Sequence, residues 1–210
     1  MKVAIIDYGM GNLGSVRRAL DELDAKAVIV SRPEQAASAD RLVLPGVGSF
    51  ADGMASLRDS GWIAAIREQV VDKGKPLLGI CLGMQLLADH GDEGLVGGFS
   101  QGLGLVRGKV VRLDRLGCAM RIPHVGWNAI EPATDTALFA GIPDGTDFYF
   151  VHSYAFQAEE PADVFATCDY GVRFAAAIGR GNVMGTQFHP EKSSRAGFSV
   201  LRNFLEISPC

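Results

Sequence analysis

Short hydrophobic runs alternate with segments of helical periodicity along the first half of the chain. The runs are rich in aliphatic and β-branched side chains and are bounded by turn residues, which is typical of buried strands. They cover residues 2–7, 27–30, 41–44 and 76–80. Strands that alternate with helices form parallel pairs joined by crossover connections, so this half of the chain predicts an α/β sheet.

Helices are predicted where hydrophobic residues recur at spacings of three and four between these runs. One begins after Asn12 and another after Ser60, since both side chains can cap a helix N-terminus. A third covers residues 82–89, directly after the fourth strand, and residues 198–205 belong to an amphipathic helix near the end of the chain.

The second half of the chain has a different pattern. Residues 91–108 contain seven glycines and are predicted to be irregular. Beyond them, short hydrophobic runs separated by tight turns predict antiparallel strands. The predicted fold is therefore a three-layer α/β class with an open, mostly parallel sheet, flanking helices and additional antiparallel strands in the second half. No repeat or linker interrupts the sequence, which predicts a single domain over residues 1–210.

Composition narrows the classes of function. The chain carries a net charge of −4 and no run of basic residues, which argues against nucleic acid or an anionic membrane as a partner. The chain has no apolar stretch of ~20 residues and no signal peptide, and its cysteines form no Cys-x-x-Cys pair, so we expect a cytoplasmic protein without metal or cofactor. Glycine is in excess, with 26 of 210 residues, which indicates places where backbone must approach another group closely.

The pentapeptide Gly-Ile-Cys-Leu-Gly at residues 79–83 has the pattern of a nucleophile elbow, with Cys81 in the position of the nucleophile. It lies between a predicted buried strand and a predicted helix, the context that the motif requires. The sharp turn exposes the nucleophile, and the start of the following helix favours a thiolate. A buried core cysteine is the alternative interpretation, and the motif together with its context favours the nucleophile.

His189 is the best candidate for the base, because Pro190 and Glu191 follow it. Proline pushes the preceding residue towards an extended conformation, so the side chains of His189 and Glu191 are expected to project to the same side. A carboxylate beside an imidazole completes a nucleophile–base–acid triad. A surface His-Pro turn is the alternative.

The oxyanion of such a reaction needs backbone N–H donors. Leu82, directly after the nucleophile, supplies one, and the Pro-Gly-Val-Gly turn at residues 45–48 is a plausible source of another. The β-branched Val47 resists positive φ, so a backbone rearrangement of this turn has a barrier that glycine would not impose.

Residues 9–14 formally match the dinucleotide fingerprint G-x-G-x-x-G. Ser31 and Arg32 stand where the motif expects an acid, although the arginine could suit NADP. A nicotinamide enzyme would leave the elbow and the His-Pro-Glu sequence unexplained, which disfavours this interpretation.

Six blocks of the sequence resemble the triad-type (class I) glutamine amidotransferases, and within them the HisH family of glutaminase subunits of imidazole glycerol phosphate synthase. They are residues 6–12 (IDYGMGN), 44–48 (LPGVG), 79–85 (GICLGMQ), 123–128 (PHVGWN), 149–154 (YFVHSY) and 187–193 (QFHPEKS). The resemblance implies that Cys81 attacks the side-chain amide of L-glutamine, His189 transfers protons and Glu191 orients His189. It also implies substrate and oxyanion contacts, which would come from Gly46, Val47, Gly48, Leu82 and Gln85.

The resemblance further implies a partner, a HisF-type (β/α)8-barrel cyclase subunit that receives the ammonia and makes imidazole glycerol phosphate and an aminoimidazole carboxamide ribotide in histidine biosynthesis. Asn12, Trp127, Tyr149 and Lys192 would lie at the interface of this heterodimer. Each also has a purely structural interpretation. Asn12 could be a helix cap, Trp127 and Tyr149 core aromatic residues, and Lys192 a solvated side chain.

Three rival functions stay open. The nearest is a paralogous glutaminase that feeds another ammonia-using synthase, for example in surface-sugar synthesis. The others are a thiol peptidase built on the same elbow and a non-catalytic binding module. His124 and His152 have no neighbouring acid in the sequence, which leaves them as either structural or interface residues.

Overall fold

The computed structural model describes residues 1–133 and 136–207. The remainder of the predicted domain, residues 134–135 and 208–210 with Cys210, lies outside the described residues. The strands are β1 (Lys2–Ile6), β2 (Lys26–Val30), β3 (Arg41–Gly46), β4 (Leu77–Cys81), β5 (His90–Gly91), β6 (Ser100–Gln101), β7 (Gly108–Arg112), β8 (His124–Pro132), β9 (Thr146–His152), β10 (Tyr154–Ala158), β11 (Val164–Asp169), β12 (Arg173–Arg180) and β13 (Val183–Thr186). The helices are α1 (Leu13–Asp21), α2 (Phe50–Asp59), α3 (Trp62–Arg67), α4 (Leu82–Gln85) and α5 (Ser194–Glu206).

The large sheet has nine strands in the order β2-β1-β3-β4-β13-β12-β11-β8-β9. The pairs from β2 to β13 are parallel, and every pair from β13 to β9 is antiparallel. A smaller four-stranded sheet has the order β10-β7-β5-β6. The parallel strands thus come from the first half of the chain and β13, and the antiparallel strands come from the second half, as the hydrophobic pattern predicts.

Helices cover both faces of the large sheet and produce three layers. Along β1, Val3 and Ile5 belong to one hydrophobic core together with residues of α1 and α5. Ala4 and Ile6 point the other way, into a second core that includes residues of α2 and α3. This alternation is the two-residue period of a strand, and both cores are apolar because the sheet is buried on each side.

The helix boundaries differ from the predicted ones in the segment between β3 and β4. The helix α2 was not predicted, although Phe50, Met54 and Leu57 are buried at helical spacing and the Ser49 side chain caps it by accepting from the Asp52 N–H. Ser60 ends α2 rather than beginning the next helix. The residue before α3 is Gly61, which adopts a left-handed φ of 75° that glycine tolerates.

Two further differences lie around the small sheet. The helix after β4 is four residues long rather than covering residues 82–89, because the chain turns at Leu86 towards β5. The strand β10 was not predicted and pairs antiparallel with β7. The glycine-rich segment is irregular as predicted apart from the two-residue strands β5 and β6, and several of its glycines adopt positive φ.

The carboxyl ends of the parallel strands β1, β3, β4 and β13 meet at one edge of the large sheet. Gly46 of β3 pairs with Cys81 of β4, and Thr186 of β13 pairs with Ile80 on the other side. Loops at this edge are where α/β proteins place binding sites. In the described part of the chain, no helix combines the length and the apolarity needed to cross a membrane.

Candidate active site

Cys81 ends β4 in a strained backbone conformation, with φ 55° and ψ −111°. A non-glycine residue at such angles costs about 1 to 3 kcal/mol, and strain of this kind is concentrated at functional sites. The flanking glycines make the turn possible. A Cβ on Gly79 would lie 2.6 Å from the Gly83 carbonyl oxygen, and a Cβ on Gly83 would lie 1.7 Å from the Leu44 carbonyl oxygen. The geometry is therefore that of a nucleophile elbow, as the sequence predicts.

The thiol of Cys81 faces a cavity of about 260 Å³. Its Sγ atom lies 3.8 Å from the Val151 carbonyl oxygen and 3.8 Å from Nε2 of Gln187. The helix α4 begins at the next residue, so its first unpaired N–H groups directly follow Cys81 in the chain. Because α4 has only four residues, its dipole is much smaller than that of the predicted longer helix.

His189 and Glu191 form the predicted pair, with Nδ1 of the imidazole 2.9 Å from the carboxylate Oε1. Both side chains are almost fully buried. His189 is extended, as the following proline requires, but Glu191 lies in a 3-10 turn (Pro190–Lys192). The tight turn, rather than an extended strand, thus brings the two side chains together.

The environment of His189 suits an acid–base group. Burial lowers the pKa of His189, but the interactions with Cys81 and Glu191 outweigh it and raise the pKa to about 9. Nδ1 donates to Glu191, which leaves Nε2 for the thiol. Within the described residues Nε2 is buried and has no hydrogen-bond partner. It is available to exchange a proton with Cys81 or with a bound substrate.

The loop after β3 contributes Val47 and Gly48 to the cavity wall. Gly48 takes the positive φ of this turn, 112°, and Val47 does not have positive φ. Gly46 does not line the cavity; a Cβ there would lie 2.4 Å from the Tyr8 hydroxyl and 2.9 Å from Cβ of Leu82. The structure thus gives Gly46 a packing role rather than a place on the wall.

Gln85 also lines the cavity, and its amide is held on two sides. Nε2 donates to the Tyr154 carbonyl oxygen at 3.0 Å and to Oε1 of Gln187 at 2.9 Å. Both N–H groups are thereby occupied, which leaves Oε1 as the free acceptor of this side chain.

Glu93 is a cavity residue that sequence reasoning missed. It lies in the glycine-rich segment, where no periodicity or motif marks it. Burial raises its pKa, the Phe50 N–H at the start of α2 lowers it by donating to the carboxylate, and the nearby Asp92 and Asp52 raise it, which brings the pKa to about 7. An acidic group of this kind is suited to a cationic part of a ligand.

His124 and His152 form a buried pair on neighbouring strands β8 and β9. Nδ1 of His124 lies 3.0 Å from Nε2 of His152, whose Nδ1 lies 2.7 Å from the Tyr154 carbonyl oxygen. Burial lowers the pKa of His124 to about 4 and that of His152 to about 3, so both are neutral. His152 reaches the cavity wall, and His124 stacks on Tyr170 with 4.0 Å between ring centroids.

Three of the four predicted interface residues lie together on the surface. Trp127 and Tyr149 pair across β8 and β9, with ring centroids 6.1 Å apart, and Nζ of Lys192 lies 5.9 Å from the Tyr149 ring. Trp127 is 54% exposed, which excludes the core position that was its alternative. Asn12 is exposed and caps α1 by accepting from the Ser15 N–H.

The glycine loop at residues 9–14 shapes the end of β1. Gly9 and Gly11 adopt φ of 87° and 155°, and a Cβ on Gly11 would lie 3.4 Å from the Pro45 carbonyl oxygen.

Across residues 1–133 and 136–207, no group of three or more His, Cys, Asp or Glu side chains is arranged to hold a metal ion.

Comparisons with known proteins show the family to which the chain belongs. The family model "Glutamine amidotransferase class-I" matches residues 4–207. The imidazole glycerol phosphate synthase subunit HisH of Moorella thermoacetica is 52% identical over 98% of this chain and 94% of its own length. The subunit HisH of Caulobacter vibrioides is 46% identical over 99% of both chains.

Solved structures share the fold. The structure titled "Structure of PurLQS from Thermotoga maritima" superimposes with a TM-score of 0.77 at 18% identity, covering 97% of each chain. A crystal structure of a glutamine amidotransferase gives a TM-score of 0.74 at 23% identity, also over 97% of each chain. With sequence motifs, site geometry and fold in agreement, the chain belongs to the class-I glutamine amidotransferases and, within them, to the HisH family.

Proposed function

We propose that this protein hydrolyses the side-chain amide of L-glutamine to glutamate and ammonia, as the glutaminase subunit of imidazole glycerol phosphate synthase. The observation that carries the proposal is the strained Cys81 thiol on the wall of a cavity that also contains His189, itself bonded to Glu191. A thiol, an imidazole and a carboxylate in this order are the components of thioester catalysis.

In the first half of the reaction, Cys81 transfers its proton to Nε2 of His189 and its sulfur attacks the amide carbon. The Leu82 N–H and an N–H of the loop at Val47 and Gly48 would hold the oxyanion. His189 then gives its proton to the leaving nitrogen, and ammonia departs from a glutamyl thioester. In the second half, His189 takes a proton from water and the hydroxide attacks the thioester. The C–S bond then breaks, His189 returns the proton to the Cys81 sulfur and glutamate leaves.

Substrate recognition is assigned to Gln85 and Glu93. The free Oε1 of Gln85 would accept from an N–H of glutamine, and the Glu93 carboxylate would pair with its α-ammonium group. Both residues line the same cavity as Cys81, which supports a ligand that is an amide at one end and cationic near the other.

The oxyanion donor after β3 is proposed to need rearrangement. Val47 keeps a conformation without positive φ, and its β-branched side chain opposes the turn of the peptide that would point an N–H into the cavity. Binding of a partner or of its ligand would provide the free energy for this rearrangement. Equal glutaminase rates for the isolated chain and for the complex would rule out this device.

We assign the ammonia to a cyclase of the HisF (β/α)8-barrel type, bound through the cluster of Trp127, Tyr149 and Lys192 and through Asn12. Exposed aromatic residues are typical of interface hot spots, which supports this surface. The relatives are named subunits, which supports an obligatory partner.

We place the protein in the cytoplasm; the free thiols of Cys81, Cys118 and Cys168 suit a reducing compartment.

A paralogous glutaminase that feeds another synthase is the second candidate. Relatives with the numbered names HisH 1 of Campylobacter jejuni and HisH 2 of Pseudomonas aeruginosa are each 42% identical. These two relatives, like the 52% and 46% identical relatives named HisH without a number, carry the name of a subunit of imidazole glycerol phosphate synthase, which favours the histidine pathway.

The decisive experiment measures glutamate release by the purified chain, alone and with a HisF-type cyclase and its nucleotide. We expect strong stimulation by the cyclase with nucleotide and complete loss in Cys81→Ala. The control is Cys168→Ala, which removes another buried thiol away from the cavity. Stimulation only by a different synthase would favour the paralogue, and peptide cleavage without glutamine hydrolysis would favour a thiol peptidase.

A further inference from the structure

Gln187 is a fully buried residue that lies two positions before His189 in the chain. Its backbone N–H donates to the Ala176 carbonyl oxygen at 2.8 Å, which fixes the main chain at the end of β13. Its side chain turns towards the nucleophile, with one amide end 3.8 Å from Sγ of Cys81. A buried amide is costly unless its polar atoms are bonded, so this contact is part of how the side chain is satisfied.

The chemistry depends on which end of that amide faces the sulfur. A carbonyl oxygen would oppose a thiolate, whereas an N–H would stabilise it. The neighbouring Gln85 settles the orientation. Its amide contacts the Tyr154 backbone carbonyl, which can only accept, so this end of Gln85 is the NH2 group. The second N–H of that group reaches the other amide end of Gln187 at 2.9 Å, which must therefore be Oε1.

The same backbone carbonyl also fixes the two histidines. His152 approaches the Tyr154 carbonyl oxygen through Nδ1 at 2.7 Å and must donate there. Its Nε2 consequently accepts, and Nδ1 of His124 donates to it at 3.0 Å. One arrangement of donors and acceptors satisfies the chain of contacts from His124 to Cys81. Both imidazoles are neutral in this arrangement, in agreement with the lowering of their pKa by burial.

From this chain we infer that Gln187 is a further catalytic residue, whose Nε2–H donates a hydrogen bond to the sulfur of Cys81 and favours its thiolate. The inference rests on the proposed role of Cys81 as the nucleophile. Gln187 keeps its proton throughout; the thiol proton goes to Nε2 of His189. The same N–H faces the sulfur when it becomes the leaving group of the thioester, so it assists both halves of the reaction.

The inference is tested by the pH profile of alkylation of Cys81 with iodoacetamide, read by peptide mass spectrometry so that Cys118 and Cys168 are counted separately. The variants are Gln187→Met, which removes the donor at similar volume, and Gln187→Glu, which places a carboxylate beside the sulfur. The matched control is Gln69→Met, another buried glutamine, which lies outside the cavity. The other titratable groups that face Cys81, namely His189, Tyr8, Glu93 and His152, are unchanged in every variant.

We expect the midpoint of the profile to rise by about one pH unit in Gln187→Met, so that alkylation on the acid side slows about tenfold. The shift should be larger in Gln187→Glu, and all rates should converge at high pH. Gln69→Met should follow the wild type. Thermal unfolding of each variant checks that it is folded.

An unchanged midpoint in folded Gln187→Met or in folded Gln187→Glu overturns the inference, and so does an equal shift in Gln69→Met. The proposed function is tested separately, because glutamate release by the wild-type complex can fail while the alkylation profile still depends on Gln187. Conversely, an active complex with an unchanged profile would retain the function and remove only the role of Gln187.

Discussion

The parallel and the antiparallel halves of the large sheet contribute to the cavity in different ways. The parallel strands β3 and β4 form the strained turn at Cys81, with glycines packed against main-chain atoms on either side of that residue. The antiparallel strand β9 supplies part of the cavity wall through Val151 and His152, and an aromatic surface forms where Trp127 of β8 pairs with Tyr149 of β9. The first region therefore tolerates almost no added atom, while the second depends on polar and aromatic contacts that can be altered without disturbing the fold.

The largest effect is expected when a single methyl group is added at Gly83, next to the strained turn. Gly83→Ala would place its Cβ 1.7 Å from the Leu44 carbonyl oxygen, so we expect a loss of about 3 kcal/mol or more of unfolding free energy and loss of glutaminase activity. Urea unfolding measures the first and glutamate release the second.

The control comes from the antiparallel half. Gly181, in the turn between β12 and β13, has φ 58° and no described atom within 4 Å of a Cβ. Gly181→Ala should cost about 1 to 2 kcal/mol through the backbone alone and leave activity intact. Equal losses in the two variants would contradict the proposed difference between the halves.

The next effect concerns the pair at the end of the parallel half. In Glu191→Gln the acceptor of the His189 Nδ1–H loses its charge, so we expect kcat to fall by about 10² to 10⁴ with little change in KM. The pKa of His189, raised to about 9 in part by Glu191, should fall, which moves the pH profile of glutamine hydrolysis towards acid. The matched control is Glu131→Gln, an exposed carboxylate on β8.

A change on the aromatic surface should leave the chemistry alone. Trp127→Ala removes the exposed aromatic side chain of the cluster, and we expect the Kd for the cyclase to rise at least about tenfold, since interface aromatic residues often contribute more than 1 kcal/mol. Glutamate release without partner should be unchanged. The control is Val71→Ala, an exposed apolar residue after α3, which should affect neither measurement. Unaltered binding by Trp127→Ala would move the interface elsewhere.

The same difference explains what the sequence could predict. Cys81, His189 and Glu191 could be predicted as a group because the pattern depends on neighbours in the chain, an elbow and a His-Pro-Glu turn. Glu93 was missed because it reaches the cavity from an irregular segment with no periodic pattern. The bonds of Gln85 to Tyr154 and Gln187 join residues 69 and 102 positions apart, and no local rule marks such contacts.

The smallest expected effect concerns how histidines in the two halves make the stability of the fold depend on pH. His124 and His152 have pKa values lowered to about 4 and about 3, below their ordinary value near 6.5. The unfolded chain therefore binds more protons, so their contribution makes stability fall as the pH drops from about 6.5 towards 4. His189 acts in the opposite direction: its raised pKa stabilises the fold below about pH 6.5, and this contribution is lost as the pH rises through about 9.

The variant His124→Phe should therefore flatten the acid side of the stability profile, by about 1 to 2 kcal/mol between pH 6.5 and 4, and leave the alkaline side unchanged. Phenylalanine keeps the stacking on Tyr170 and Phe150, so the loss at neutral pH is confined to the hydrogen bond to His152. Urea unfolding at a series of pH values measures both sides. If the unfolding free energy of His124→Phe falls with decreasing pH as steeply as that of the wild type, the buried histidine pair does not govern acid stability. The antiparallel half would then contribute to stability through packing contacts alone.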